Sequence, residues 1–388
     1  MSEREFDVIV YGASGFTGRL VAEYMQQQYG RGVNWAMAGR SAEKLAQVRD
    51  QMSINATTPL ITADADNEAE LRAMARRTKV MITTVGPYQL YGSALVAACV
   101  AAGTDYVDLS GEPGWMHEMI EAHDEAAKVS GARVVHSCGF DSIPFDLGVY
   151  FLQQAAQEKF GAPCNQIRTR VRAMNGEFSG GTAASLGATM AAVSKNPDLV
   201  DILVNPFSLA NGHEGPAQPA DNAVYEDEAT GQWVAPFIMA AINTKNIHRS
   251  NALLGHAYGE EFLYDEMMLC GPGDEGRAMA EFVASSNPLA GDDVPQPGEG
   301  PSKESRESGN YDVLFIGTTA DGSRVEASVG GDMDPGYGST SKMLAESAIC
   351  LLQDCDIGGG VYTPAPAMGD KLIARLVDNA GLYFRMEN

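Results

Sequence analysis

Residues 7–18 read Asp-Val-Ile-Val-Tyr-Gly-Ala-Ser-Gly-Phe-Thr-Gly, an apolar strand that runs directly into three glycines, Gly12, Gly15 and Gly18. The stretch that follows has its apolar residues at helical spacing: Phe16, Leu20, Val21, Tyr24 and Met25. A strand that ends in a tight glycine turn and opens a helix presents free backbone N–H groups and the positive helix end to a pyrophosphate. The string Gly12-Ala13-Ser14-Gly15-Phe16-Thr17-Gly18 is therefore read as the cradle of a dinucleotide. A glycine turn that merely joins strand to helix is the alternative, and the second strand, Asn34 to Ala38, follows at the remove that favours the dinucleotide.

That second strand bears on which dinucleotide. An NAD site places Asp or Glu at its end to accept the ribose hydroxyls, whereas here the chain continues Ala38-Gly39-Arg40-Ser41, with Lys44 one turn into the next helix. Arg40 offers a planar fork to a 2′-phosphate, and no carboxylate repels it, so NADP(H) is the expected cofactor. A solvated residue at a helix start is the other reading of Arg40.

Outward from this point, strand and helix alternate as far as about Gly139. Candidate strands are 59–62, 80–84, 106–109 and 133–136, with helices at 43–51, 68–77, 93–102 and 115–128 between them. Alternation of this kind predicts an α/β, doubly wound parallel sheet, a Rossmann nucleotide domain over residues 1–145. Residues 146–334 are expected to form a mixed α/β substrate domain, with a helix over 145–157, a strand over 166–173 and a hairpin whose arms, 312–319 and 323–330, flank Ala320-Asp321-Gly322. Within it, 287–310 is rich in Pro, Gly, Ser and Glu and reads as an exposed loop, while 196–250 resists assignment. Residues 335–388, with a helix over 339–353, are expected to return to the nucleotide domain as a helical segment.

Composition narrows the function classes. Across 388 residues, 51 Asp and Glu against 27 Lys and Arg leave a formal charge of −24, which opposes nucleic acid or an anionic bilayer as a partner by charge alone. The acidic start leads straight to the first strand with no signal-peptide pattern, and the apolar runs fall short of a membrane span, so a cytoplasmic protein is expected. Peripheral membrane contact stays open. The six cysteines lack CxxC or zinc spacing and the six histidines form no HExxH, so no metal is expected.

Three further strings join the first: Thr84-Val-Gly-Pro-Tyr88 with Tyr91-Gly92, Cys138-Gly-Phe-Asp-Ser-Ile-Pro144, and Gly359-Gly-Val-Tyr-Thr-Pro364. Their order and spacing resemble the saccharopine dehydrogenase-like oxidoreductases, and within them the trans-acting enoyl reductase branch. The resemblance covers nearly the whole chain. It implies an NADPH-dependent enzyme that reduces a carbon–carbon double bond on an acyl chain carried by a partner synthase. A small-molecule or carrier-bound acyl substrate is thus expected, and a homodimer is a reasonable expectation for the fold. The saccharopine-type alternative, imine or secondary-amine chemistry, calls for a basic pocket. Arg168, Arg170 and Arg172 alternate on one strand and could share a face, but such a row is more often a solvated strand face, and between 174 and 244 the only Lys or Arg is Lys195. A non-catalytic NADP sensor is the alternative of a different class.

Site residues are expected on the two loops at the carboxyl edge of the sheet. Val85, Gly86 and Pro87 should meet the nicotinamide ribose, and Asp64, after the third strand, should lie on the adenine side. Tyr88 and Tyr91 are candidate proton donors, or else pack against the cofactor. Asp141 is cap, cofactor ligand or acid–base group, Ser142 a helix cap, Glu112 a helix-start carboxylate or cleft residue, and Cys138 a buried thiol. Ser179 to Thr182 could cradle an anionic part of the substrate at a helix start, or simply pack tightly.

Overall fold

In the computed structural model, residues 4–176, 180–286 and 298–387 are described. Six strands come first along the chain: β1 (Phe6–Tyr11), β2 (Trp35–Gly39), β3 (Leu60–Thr62), β4 (Thr78–Thr83), β5 (Asp105–Val107) and β6 (Arg133–Val135). In the remainder are β7 (Cys164–Asn175), β8 (Tyr225–Asp227), β9 (Gln232–Pro236), β10 (Leu263–Gly271), β11 (Asn310–Thr319), β12 (Arg324–Gly331), β13 (Gly360–Tyr362) and β14 (Leu382–Met386). They build two seven-stranded sheets.

The first sheet has the order β13-β6-β5-β4-β1-β2-β3, and every pairing in it is parallel. Its inner strands are largely buried on both faces, which is why they read as near-continuous apolar runs, while β3 at the edge leaves Thr62 exposed. Side chains alternate across β1: Val8 and Val10 belong to one core with Met37, Val80 and Ile82, while Ile9 and Tyr11 belong to another with Ala36, Ala38 and Met81. Helices Glu68–Ala75, Ser93–Ala102 and Pro113–Ser130 cover the second face. Helices Phe16–Tyr24 and Thr340–Gln353 cover the first. Strand order reverses between β1 and β4, and the crevice at that switch point is where such sheets receive ligands.

The second sheet, in the order β14-β12-β11-β7-β10-β9-β8, is mixed. Only its β7–β10 pair is parallel. Helix Ile143–Phe160 packs on β11 and β12 and carries the first core across, so Val8 and Phe315 belong to one apolar body. Glycine supplies the β11–β12 turn: Gly322 has φ +86°, and the Asp321 carboxylate accepts the Ser323 N–H at 3.0 Å.

Several expectations change. The stretch 196–250 contains helices Leu199–Val204 and Ala240–Leu253 besides β8 and β9. Of the expected loop 287–310, residues 287–297 lie outside the described residues; Lys303–Ser308 is a helix, held by Ser302 Oγ accepting the Ser305 N–H, and β11 starts at Asn310. The final segment is not purely helical. It adds β13 to the edge of the first sheet and β14 to the edge of the second.

Candidate active site

The glycine string makes the turn expected of it. Gly12 leaves β1 with φ +87°, in the left-handed region, and a Cβ there would meet Thr84 Oγ1 at 2.6 Å. A Cβ on Gly18 would lie 2.0 Å from Gly12 O, so this glycine lets the helix press on the strand end. Gly15 differs. Its φ of −79° suits any residue, and an added Cβ would find no protein atom nearer than Gly12 O at 3.3 Å. That contact is tight but can relax, so packing favours glycine there only mildly, and a ligand against the helix N-terminus would add a second reason for it. No side chain caps helix 16–24, so its first amides remain available to an anion. The backbone from Gly12 to Gly18, with Ala13, Ser14, Phe16 and Thr17, thus fits a dinucleotide pyrophosphate.

At the end of β2, Arg40 and Lys44 are both exposed. Ser41 caps helix Ala42–Gln51, its Oγ accepting the Lys44 N–H at 3.3 Å. Asp64 is exposed beyond β3, where its carboxylate accepts the Asp66 N–H at 3.1 Å. Beside Gly12, the Thr84 N–H bonds to Tyr11 O at 3.0 Å, which sets Val85, Gly86 and the cis-linked Pro87 across from the glycine turn.

The two tyrosines part company. Tyr88 is buried, stacked on Trp115 at 5.4 Å between ring centroids, and its hydroxyl donates to Thr83 O at 3.2 Å and accepts the Leu109 N–H at 3.3 Å. Burial, with Asp108 nearby, pushes its phenol well above the usual range. Tyr91 is 40% exposed and lies off the wall of the main cavity. Glu112, by contrast, is buried and gathers three donors: Tyr88 N at 2.9 Å, Gln89 N at 2.8 Å and Ser185 Oγ at 2.9 Å. It caps the short helix Tyr88–Tyr91 rather than the helix that follows it in sequence.

A cavity of about 470 Å³ opens between the carboxyl edge of the first sheet and the second domain. Thr17, Thr84 and Gly86 bound it on the nucleotide side. Helix Gly180–Lys195 contributes Ser185, Leu186, Thr189 and Met190, and Ile238, Met239 and Ile242 close a third side. Among its described lining residues there is no Lys, Arg or His, and Asp141 is the one carboxylate. Burial raises the Asp141 carboxyl to about 6. A Cβ on Gly111 would lie 3.7 Å from Asp141 Oδ2.

Ser142 stands at the N-cap of helix 143–160, yet its hydroxyl does not cap: Asn246 donates to it instead. Cys138 is wholly buried, and burial with Asp108 nearby drives its thiol well above the usual range, which leaves it inert. The arginine row is not a solvated face throughout. Arg170 is fully buried, paired with Asp265 at 2.6 Å and Asp227 at 3.1 Å; Arg172 pairs with Asp312 and Glu387. None of Arg168, Arg170 and Arg172 lines the cavity. Of the Ser179–Thr182 string, Ser179 lies outside the described residues.

Sequence reasoning missed a buried cluster beneath the cavity floor. Asp108, just past β5, accepts the N–H groups of Ser110 at 3.0 Å and Ser137 at 2.9 Å and the Tyr106 hydroxyl at 3.0 Å, and lies 2.7 Å from His136 Nδ1. It ties the loops after β5 and β6 together. Its position at the carboxyl end of a buried strand was the available signal.

The fold and this site define a dinucleotide-dependent oxidoreductase. The saccharopine dehydrogenase NADP-binding domain family matches residues 8–135, so the cofactor is NADP(H). A trans-acting enoyl reductase of Mycobacterium bovis is 38% identical, over 97% of this chain and 96% of that one. A Mycobacterium tuberculosis protein provisionally given the same name is 42% identical, over 96% of each. The yeast saccharopine dehydrogenase (L-Glu forming) shares the fold, with a TM-score of 0.59 over 98% of this chain and 99% of that one at 11% identity. The chain belongs to the saccharopine dehydrogenase-like oxidoreductases, in the group that holds the trans-acting enoyl reductases.

Proposed function

We propose that this enzyme uses NADPH to reduce the carbon–carbon double bond of an enoyl chain, presented on a carrier by a partner synthase. One observation carries the reading: among its described lining residues, the cavity beside the glycine turn is mostly apolar, has no Lys, Arg or His, and holds a single carboxylate. A substrate bearing several carboxylates would find no counter-charge there, which argues against saccharopine-type chemistry. An acyl chain finds complementary walls, and the names of the relatives agree with it. Leu186, Met190 and Ile238 line the cavity and remain 41%, 61% and 41% exposed, so apolar surface continues outward along the path a long chain would take.

The cofactor would rest on the backbone of Gly12, Ala13, Ser14, Gly15, Phe16, Thr17 and Gly18, with Arg40, Ser41 and Lys44 at its 2′-phosphate. Asp64 would lie toward the adenine, and Val85, Gly86 and Pro87 beside the nicotinamide ribose. When bound, NADPH supplies a hydride equivalent. The chain itself supplies the proton. Asp141, raised to about 6 by burial, is held partly protonated near neutral pH and would protonate the carbon next to the acyl carbonyl. Tyr88 keeps its hydroxyl proton on Thr83 O and serves as the wall on which that loop is built. Tyr91, off the cavity, is no proton donor in this scheme.

Titration of the purified protein with NADPH and NADH, each with a panel of enoyl thioesters of increasing chain length, tests the proposal. NADPH oxidation that depends on the enoyl group supports it. Oxidation driven by an imine or 2-oxo acid with an amine, and not by any enoyl thioester, would replace it with the saccharopine-type reading.

A further inference from the structure

On the far side of the nucleotide domain, away from the cavity, two cysteine sulfurs meet. Cys350 lies in the last turn of helix 340–353 and Cys355 in the coil just beyond it, with Sγ atoms 3.6 Å apart. The backbone enforces the pairing: the N–H groups of Asp354 and Cys355 both bond to Cys350 O, at 2.9 and 3.1 Å, and fold the chain back on the helix end. Arg133 of β6 grips the same turn, donating to Cys355 O at 2.8 Å and Leu351 O at 2.9 Å. Cys350 is buried while Cys355 is partly exposed, so one thiol of the pair faces reagents and the other waits behind it.

We infer that Cys350 and Cys355 form a thiol–disulfide exchange site, which a low-molecular-weight disulfide converts to an intramolecular disulfide. Cys355 attacks as its thiolate on one sulfur of the incoming disulfide; the S–S bond of the reagent breaks and one thiolate leaves. Cys350 then gives its proton to solvent and attacks Cys355 Sγ, and the second reagent thiolate leaves. Both protein thiols are oxidised, the reagent is reduced to two thiols, and no other oxidant is needed. The sulfurs must close by about 1.5 Å to reach bonding distance, a side-chain movement open to Cys355 outside the helix. The electrostatics agree with this order of events. The Cys350 S–H directed at Cys355, with Lys371 and Arg133 beside it, holds the Cys355 thiol below its usual range, whereas Cys350 is pushed up.

The pair lies on one tryptic peptide, because no Lys or Arg occurs between Lys342 and Lys371. The folded protein is treated with glutathione disulfide, quenched with acid, alkylated under denaturing conditions and mapped by mass spectrometry. The expected result is that this peptide loses two hydrogens and both alkylation sites, and regains both after dithiothreitol. The variant Cys350→Ser should stop at one glutathione on Cys355, and Cys355→Ser should leave Cys350 free. If the wild-type protein holds a persistent glutathione at Cys355, or keeps both thiols alkylatable while the partly exposed Cys270 reacts, the inference is wrong.

Discussion

Glu112 Oε1 lies 2.9 Å from Ser185 Oγ, so a carboxylate on the loop after β5 holds the helix that walls the cavity. The same carboxylate accepts the Tyr88 and Gln89 N–H groups. Removing it leaves three donors without an acceptor in a buried place, and hydrogen bonds to a charged group are worth about 1.5–3 kcal/mol each. Glu112→Ala should therefore lower unfolding stability by about 2–4 kcal/mol, against about 1 kcal/mol or less for Ser185→Ala. Urea unfolding of the two single variants and the double variant checks both the costs and their coupling.

Asp141 sets a pH dependence whose sign is fixed. Its folded-state carboxyl titrates at about 6, above the ordinary 3.8, and the proposed role needs the protonated form. Reduction of the double bond should hold level below about pH 6 and fall about tenfold per unit above it. Asp141→Asn should lower kcat by about 10²- to 10⁴-fold and flatten that profile while NADPH affinity holds.

The same residue links stability to pH. Between the ordinary value and about 6 the folded state binds the proton more tightly, so this contribution is complete at low pH and lost as pH rises through about 6. At pH 8 the Asn variant should be more stable than wild type by on the order of 2–3 kcal/mol, and at pH 4 nearly equal to it. Denaturant titrations at the two pH values measure the difference.

Gly15 and Gly18 should separate ligand binding from folding. Gly15→Ala keeps an allowed backbone and presses its Cβ on Gly12 O at 3.3 Å, so its thermal transition should fall only slightly while NADPH binding weakens at least 100-fold. Gly18→Ala drives a Cβ against Gly12 O and should lower the thermal transition itself. Calorimetric binding and melting of both variants decide this.

Arg40→Ala should weaken NADPH binding about 10- to 100-fold, the worth of a charge-assisted pair with phosphate, and leave NADH binding unchanged. Fluorescence titration with each dinucleotide tests it.

The nucleotide domain was legible because its inner parallel strands are largely buried on both faces and announce themselves as apolar runs between amphipathic helices, whereas β13, three residues joining from far along the chain, gave no such run. Gly12 and Gly18 were equally legible, since backbone geometry alone requires them. The roles of Glu112, Asp108 and Ser142 were not. Each is set by partners distant in sequence: Ser185 is 73 residues from Glu112, and Asn246 is 104 from Ser142. Local sequence offers capping as the default for such residues, and tertiary contacts overrode it. The stretch 196–250 was opaque because β8 and β9 are short strands at a sheet edge, while helix 240–253 buries Asn243, Lys245, Asn246, His248 and Arg249, which read as a polar surface.

β13 and β14 are near one another in the chain yet border different sheets. Because β13 borders one sheet and β14 the other, β6 and β12 each lack a neighbour on one side until residues 360–386 pair with them. A chain cut short of Gly360 would therefore present β6 and β12, interior strands in the complete sheets, as bare pairing edges.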